Sequence, residues 1–198
     1  SNFPEGDQRL DTKNKIMKTA INLFSNYGYH KTTMQMIADK AKISKGSLYW
    51  HFSSKKELFM GIIQSRLMKY FSFLEKIKED DSLSSSQKIN KIINYRIDIF
   101  QNHPPLFKEV IGNQEDIDED FKEKMQKFKE KHIRLLEDIF EEGMKSGEFD
   151  LEDPYITALA FMGINISLAS EGSLFNKENI DKTGRVLKDI LFNGILKN

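Results

Sequence analysis

The 198-residue chain contains no cysteine. That absence excludes disulfides, iron–sulfur clusters, thiolate zinc sites and a cysteine nucleophile, and it suits a reducing compartment, so a cytoplasmic location is expected. Proline is scarce at four residues, and with 11 glycines, 39% hydrophobic and 30% charged residues the composition is neither that of a linker nor that of a disordered tail. No apolar run is long enough to span a bilayer. The longest stretch without a charge, residues 154–170, falls short of the roughly 20 apolar residues required, and Thr157, Asn165 and Ser167 interrupt it, so no membrane partner is expected. The first ten residues carry Glu5, Asp7 and Arg9 without an apolar stretch, unlike a signal peptide. Catalytic signatures are missing too. His30, His51, His103 and His132 stand apart in sequence, no HExxH or other paired-ligand spacing occurs, and no glycine-rich phosphate loop is present. Neither a metal nor a cofactor is expected, and an enzyme is the weaker reading.

Net charge is the last thing lacking, since 30 Lys and Arg meet 30 Asp and Glu. The balance is a cancellation. Residues 1–60 hold 10 basic and 5 acidic side chains, a net of +5, whereas residues 61–198 hold 20 and 25, a net of −5. From Lys13 to Lys56 the only acid is Asp39. Charge of opposite sign in two halves points to one part that meets a polyanion and another that does something else, against the plainer alternative of a solvated basic face.

Apolar spacing is helical almost throughout, and no convincing period-two alternation appears. The fold class expected is all-α, with about nine helices. The first covers residues 11–26 after a flexible segment at 1–10. Thr32 and Gln35 have the capping-box spacing for the second. Ser44 is placed to cap a short third helix, and Ser54 with Glu57 opens a long fourth one. Ser84 to Gln87 starts the fifth, a short sixth covers 105–111 after a proline pair, and a seventh of almost thirty residues ends at Gly147. Asp153 and Pro154 open the uncharged eighth, and the ninth covers about 177–196.

Residues 33–52 read helix, three-residue turn, helix, the size of a helix-turn-helix DNA reader. The second of these helices is unusual in composition. Leu48, flanked by Ile43 and Phe52, is the only core-like residue in it, while Lys45, Ser47, Tyr49, Trp50 and His51 are donors or flat amphipathic side chains suited to a major groove. Gly46 costs about 1 kcal/mol against alanine in a helix, which close approach of the backbone to phosphate or base would explain.

At these residues the chain resembles the TetR family of bacterial transcriptional regulators. The pattern is carried by Ala20 to Phe24, Gly28-Tyr29, Thr32-Thr33, Ile37-Ala38, the run Ser44-Lys45-Gly46-Ser47-Leu48-Tyr49-Trp50-His51-Phe52, and Lys55 to Leu58. One position departs from it, because Lys42 stands where relatives usually carry glycine. If the backbone is left-handed there, lysine costs roughly 1 kcal/mol relative to glycine.

The resemblance implies a DNA-binding domain over residues 11–57 and a ligand-binding and dimerisation domain over 58–198. It implies that Lys45, Gly46, Tyr49 and His51 touch DNA backbone and bases and that Thr33 and Lys55 bind phosphates, with Ser44, Ser47 and Trp50 as further candidates. Competing readings are that Tyr49 or Trp50 is partly core, that His51 caps the helix end, and that Lys55 and Lys56 are solvated charges. The expected partner is a double-stranded DNA operator, bound by a homodimer. The apolar residues Ile164, Leu168, Val186, Leu187, Ile190, Leu191 and Ile195 of the last two helices are the candidate dimer face. The family resemblance also implies a small-molecule effector, hydrophobic or amphipathic given the many aromatics, with Tyr95, Arg96, His103, Phe107, His132, Phe161 and Asn165 as candidate lining. The alternatives are a DNA-binding regulator without an effector and a helical protein-interaction adaptor.

Overall fold

The computed structural model describes residues 5–102, 119–170 and 177–195, the side chains of 5–8, 100–102, 165–170, 177–181, 183, 190, 194 and 195 excepted. Eight helices occur among the described residues: α1 (Glu5–Tyr27), α2 (Met34–Ala41), α3 (Lys45–His51), α4 (Lys55–Lys78), α5 (Ser85–Asn102), α6 (Glu119–Lys145), α7 (Pro154–Ser170) and α8 (Lys177–Ile195). The all-α expectation holds, and the short helix expected at 105–111 lies outside the described residues. The chain divides into two compact units between Met68 and Lys69, inside α4.

The first unit is built on Ile16, Ala20, Phe24, Ile37, Ala38, Leu48, Leu58 and Ile62, none more than 1% exposed. Phe24, Tyr29 and Phe59 form a triangle of ring contacts that closes α1 onto α4, with centroids 4.9 to 5.7 Å apart. Two local expectations need correction. The first helix begins at Glu5 and not at residue 11; with Leu10 63% exposed, no apolar stripe marks this turn, and Arg9 lies over the Trp50 ring. The cap of α2 is Thr33, whose Oγ1 accepts from Met36 N at 3.2 Å, while Thr32 is fully buried and donates to the Gly28 carbonyl at 2.8 Å. Burial decides between two adjacent threonines that spacing alone cannot rank. At α4 the box is offset likewise: Ser54 caps Glu57 N, but the Glu57 carboxylate reaches back to Ser53, not to Ser54.

Lys42 ends α2 in the left-handed region, at φ 53° and ψ 49°. Its N–H donates to the Asp39 carbonyl and that of Ile43 to the Ala38 carbonyl, both at 3.1 Å, a closure that glycine makes without steric cost. Replacing Lys42 by Gly is therefore expected to raise unfolding stability by up to about 1 kcal/mol. Chemical denaturation checks this, and an unchanged midpoint would mean that the lysine side chain repays its backbone strain.

In the second unit, Leu74, Ile89, Ile92, Leu136, Ile139, Phe140 and Ala158 are fully buried. Lys88, 5% exposed, spans this bundle's end by donating to the Lys78 carbonyl at 2.7 Å and the Glu142 carboxylate at 2.9 Å. The Glu148 carboxylate takes the first N–H groups of α5, from Ser85 at 2.9 Å and Ser86 at 2.8 Å. Gly143 has a steric reason, because a Cβ there would fall 2.2 Å from the Phe149 ring that folds back on α6.

The two last helices differ more than expected. On α7 the exposed side carries Tyr155, Ile156, Ala160, Gly163 and Ile164, all without charge, and it is opposite the buried Ala158, Phe161 and Met162. On α8, by contrast, Lys182, Arg185, Asp189 and Asn193 are exposed and Val186 is the one large apolar side chain out with them among the described residues. Leu187 is 7% exposed and so belongs to this chain's own interior, whereas Leu191 packs against the bundle core and stays partly exposed. The cause is α5, which lies so close that a Cβ on Gly184 would meet Ile97, and Lys188 reaches Asn94 at 2.6 Å. The side chains of Leu168, Ile190 and Ile195 lie outside the described residues. No described helix is long and apolar enough to cross a membrane.

Candidate nucleic-acid interface

The reading motif is assembled from caps and one core residue. Ser44 accepts from Ser47 N at 3.0 Å and starts α3; Leu48, with no exposed surface, pins it, and Phe52, 3% exposed, follows its last turn. Everything else on the helix faces outward or sideways. Lys45 and Gly46 are exposed, Tyr49 and Trp50 are 43% and 63% exposed, and Ser47 and His51 are half-buried. The competing reading of Tyr49 and Trp50 as core aromatics is thereby set aside.

These side chains interact with one another and with α1. The Lys45 ammonium lies 5.8 Å from the Tyr49 ring centre, the Arg9 guanidinium 5.0 Å from that of Trp50, and Lys13 5.6 Å from that of Phe52. Trp50 and His51 meet edge to face at 4.7 Å. Partial burial, then the charges of Lys13 and Arg9, push the His51 pKa below its ordinary value. His51 is thus neutral at pH 7 and offers both a donor and an acceptor. Arg9 and Lys13 are contributors that sequence reasoning missed. Their spacing of four on a helix was the available signal, and the false boundary at residue 11 hid half of it.

Gly46 has open space around its Cα: a Cβ there would meet only Ser44 Oγ, at 4.0 Å. Nothing among the described residues requires glycine at this position. Thr33 and Ser44 each spend an oxygen lone pair on capping and keep the hydroxyl hydrogen to donate. Lys55 is different, and its expected phosphate contact needs revision. Its ammonium donates to the carbonyls of Tyr29 at 2.8 Å, Thr32 at 2.9 Å and His30 at 3.4 Å, and lies 4.4 Å from the Tyr29 ring centre. Three donors meet three acceptors across the α1–α2 turn, which is a structural role.

A short exposed helix studded with donors and flat rings, set by a capped turn and flanked by cations, has the dimensions and chemistry to enter a major groove. Residues 16–62 match the family model of bacterial regulatory proteins of the tetR family, and residues 82–170 match the tetracyclin repressor-like C-terminal domain. The chain belongs to the TetR family. Among curated relatives it is 27% identical over 196 residues to the HTH-type transcriptional regulator QacR of Staphylococcus aureus, covering 95% of this chain and 100% of QacR. It is also 27% identical over 114 residues to IcaR of Staphylococcus epidermidis, a negative transcriptional regulator of a biofilm operon, covering 58% and 61%. Of solved structures, the SmeT–triclosan complex superposes with a TM-score of 0.72 at 19% identity, covering 95% of this chain and 93% of SmeT.

In this TetR-family chain the candidate effector residues divide. Tyr95, Arg96 and His132 come together around Tyr70, which sequence reasoning overlooked because its position on α4 carries no motif. Tyr70 Oη and His132 Nε2 are 2.8 Å apart, the Arg96 guanidinium lies 5.9 Å from the Tyr70 ring centre, and Tyr95 stacks between Tyr70 at 5.7 Å and Phe73 at 4.1 Å. Burial, with the Arg96 charge second, lowers the His132 pKa to about 3, so the ring is neutral at pH 7. Burial likewise raises that of Tyr70, with Arg96 opposing. The Tyr70 hydroxyl therefore stays protonated, and it donates to His132 Nε2 in one imidazole tautomer and accepts from Nε2–H in the other. Phe161 instead packs edge-on against Phe140 in the core. His103 and Phe107, and the side chain of Asn165, lie outside the described residues.

Proposed function

We propose that the chain is a dimeric repressor that reads a palindromic operator through α3 and releases it when a hydrophobic or amphipathic small molecule binds within residues 58–198. The observation that carries the DNA-reading part is the outer face of α3, where Lys45, Tyr49 and Trp50 stand exposed on a helix whose buried residue is Leu48. In this reading Lys45, Tyr49, Trp50 and His51 meet base edges, Gly46 lets the backbone come close, and Thr33, Ser44 and Ser47 donate to phosphates. Residues 11–57 do the reading, and residues 58–198 hold the effector and the dimer contact. Dimerisation is supported by the uncharged exposed side of α7, including Ile156 and Ile164, with Val186 of α8 beside the remaining candidates. Repression is supported by the likeness to IcaR, a negative transcriptional regulator, and an effector by the likeness to SmeT, known as a complex with triclosan.

Selection of bound sites from random double-stranded DNA tests the whole reading. The expected product is an inverted repeat whose half-site centres are about 34–36 Å apart or a multiple of that, bound with a strong salt dependence. Recovery of no enriched sequence would remove the regulator reading in favour of an adaptor, and an asymmetric single half-site would remove the dimer.

A further inference from the structure

The polar cluster in the second unit is unbalanced. Arg96 Nη1 is buried and has no hydrogen-bond partner among the described residues, and no described carboxylate pairs with the guanidinium. Arg96 as a whole is half-buried, and a cation with a buried nitrogen left unbonded is costly and is normally satisfied by an opposite charge. The guanidinium is hydrogen-bonded to Tyr70, which also meets His132, but neither of these rings carries negative charge. Around them lies a group of aromatic rings, with Tyr95 stacked between Tyr70 and Phe73 and Phe71 stacked on Phe128 at 5.2 Å, whose edges are apolar.

Resting on the effector reading above, we propose that the effector is an amphipathic anion whose carboxylate is taken by Arg96 beside the Tyr70–His132 pair and whose apolar body lies on these rings. A cationic ligand does not fit, because Arg96 already occupies the face of Tyr70 that such a cation would use. A neutral ligand would leave the guanidinium charge without an opposite partner among the described residues. A carboxylate supplies two oxygens in the plane that a guanidinium fork matches.

The test is isothermal titration calorimetry of the full chain with dodecanoate, dodecan-1-ol and dodecyltrimethylammonium, each kept below micelle formation. Dodecanoate is expected to bind at least about tenfold more tightly than the alcohol, and the cation not to bind. R96Q should lose about tenfold or more for dodecanoate and keep its affinity for the alcohol. R96K, which retains the charge without the fork, should fall between them, and with the wild-type series it decides the matter if R96Q does not fold. Equal affinity for the three probes, preference for the alcohol or cation, or unchanged dodecanoate binding by R96Q overturns the anion assignment and leaves the effector reading standing. Binding of none of the three overturns both.

Discussion

Changing Lys45 and Tyr49 together to Ala is expected to lower specific DNA affinity by at least about a hundredfold, because each base-reading contact contributes about 1–3 kcal/mol. The fold should not notice. Both side chains are exposed, and the contact they share inside the protein, the ammonium over the ring at 5.8 Å, disappears for both at once. Exposed substitutions of this kind usually shift stability by no more than about 0.5 kcal/mol. Fluorescence anisotropy on the selected operator and thermal melts of the free protein separate the two readouts. Operator affinity equal to that of the unchanged chain would refute α3 as the reading helix. Lys45→Ala alone adds a finer distinction: a uniform loss across sequences with a shallower salt slope marks a phosphate contact, whereas relaxed specificity at one position marks a base contact.

Acid is the second large lever. The folded chain holds His132 neutral with a pKa of about 3, and in the unfolded chain the ring titrates near its ordinary 6.5. As pH falls below 6.5 the unfolded state therefore takes up the proton first. Stability from this site is complete above about pH 6.5 and drains away as pH drops from there toward 3, amounting to about 2 kcal/mol lost by pH 5. His51, also lowered, acts in the same direction. The carboxylates held low by hydrogen bonds, Glu57, Asp80 and Glu148, contribute only further down, where their unfolded forms begin to protonate. Urea unfolding at pH 7 and pH 5 measures the loss. In His132→Gln, which can still accept from Tyr70, the loss should shrink markedly; an equal loss in both chains would acquit the histidine.

What the sequence made legible follows from how local each signal is. Helices announce themselves by spacing, and single caps such as Ser44, Ser54 and Asp153 need only their own next turn, so element type and most boundaries could be read. The outward character of α3 was legible for the same reason, as one apolar residue among donors. What failed depended on distant neighbours. Thr32 and Thr33 are equivalent until the interior claims one of them. Leu187 looks as available as Val186 until α5 is laid against α8. Tyr70 belongs to no motif and acquires its role from His132, 62 positions away. Lys55 matched a family position in a basic stretch, and nothing nearby in sequence announces that its three acceptors lie more than twenty residues earlier.

That inward lysine has a chemical corollary. An acylating reagent needs an amine that can turn toward it and offer a lone pair, and the Lys55 nitrogen must first release the carbonyls of Tyr29, His30 and Thr32 to do so. Its neighbour Lys56, one position further on, is exposed. Modification at position 55 thus reports opening of the α1–α2 turn rather than the arrival or departure of DNA, which makes this amine a built-in gauge of local unfolding within the basic half of the chain.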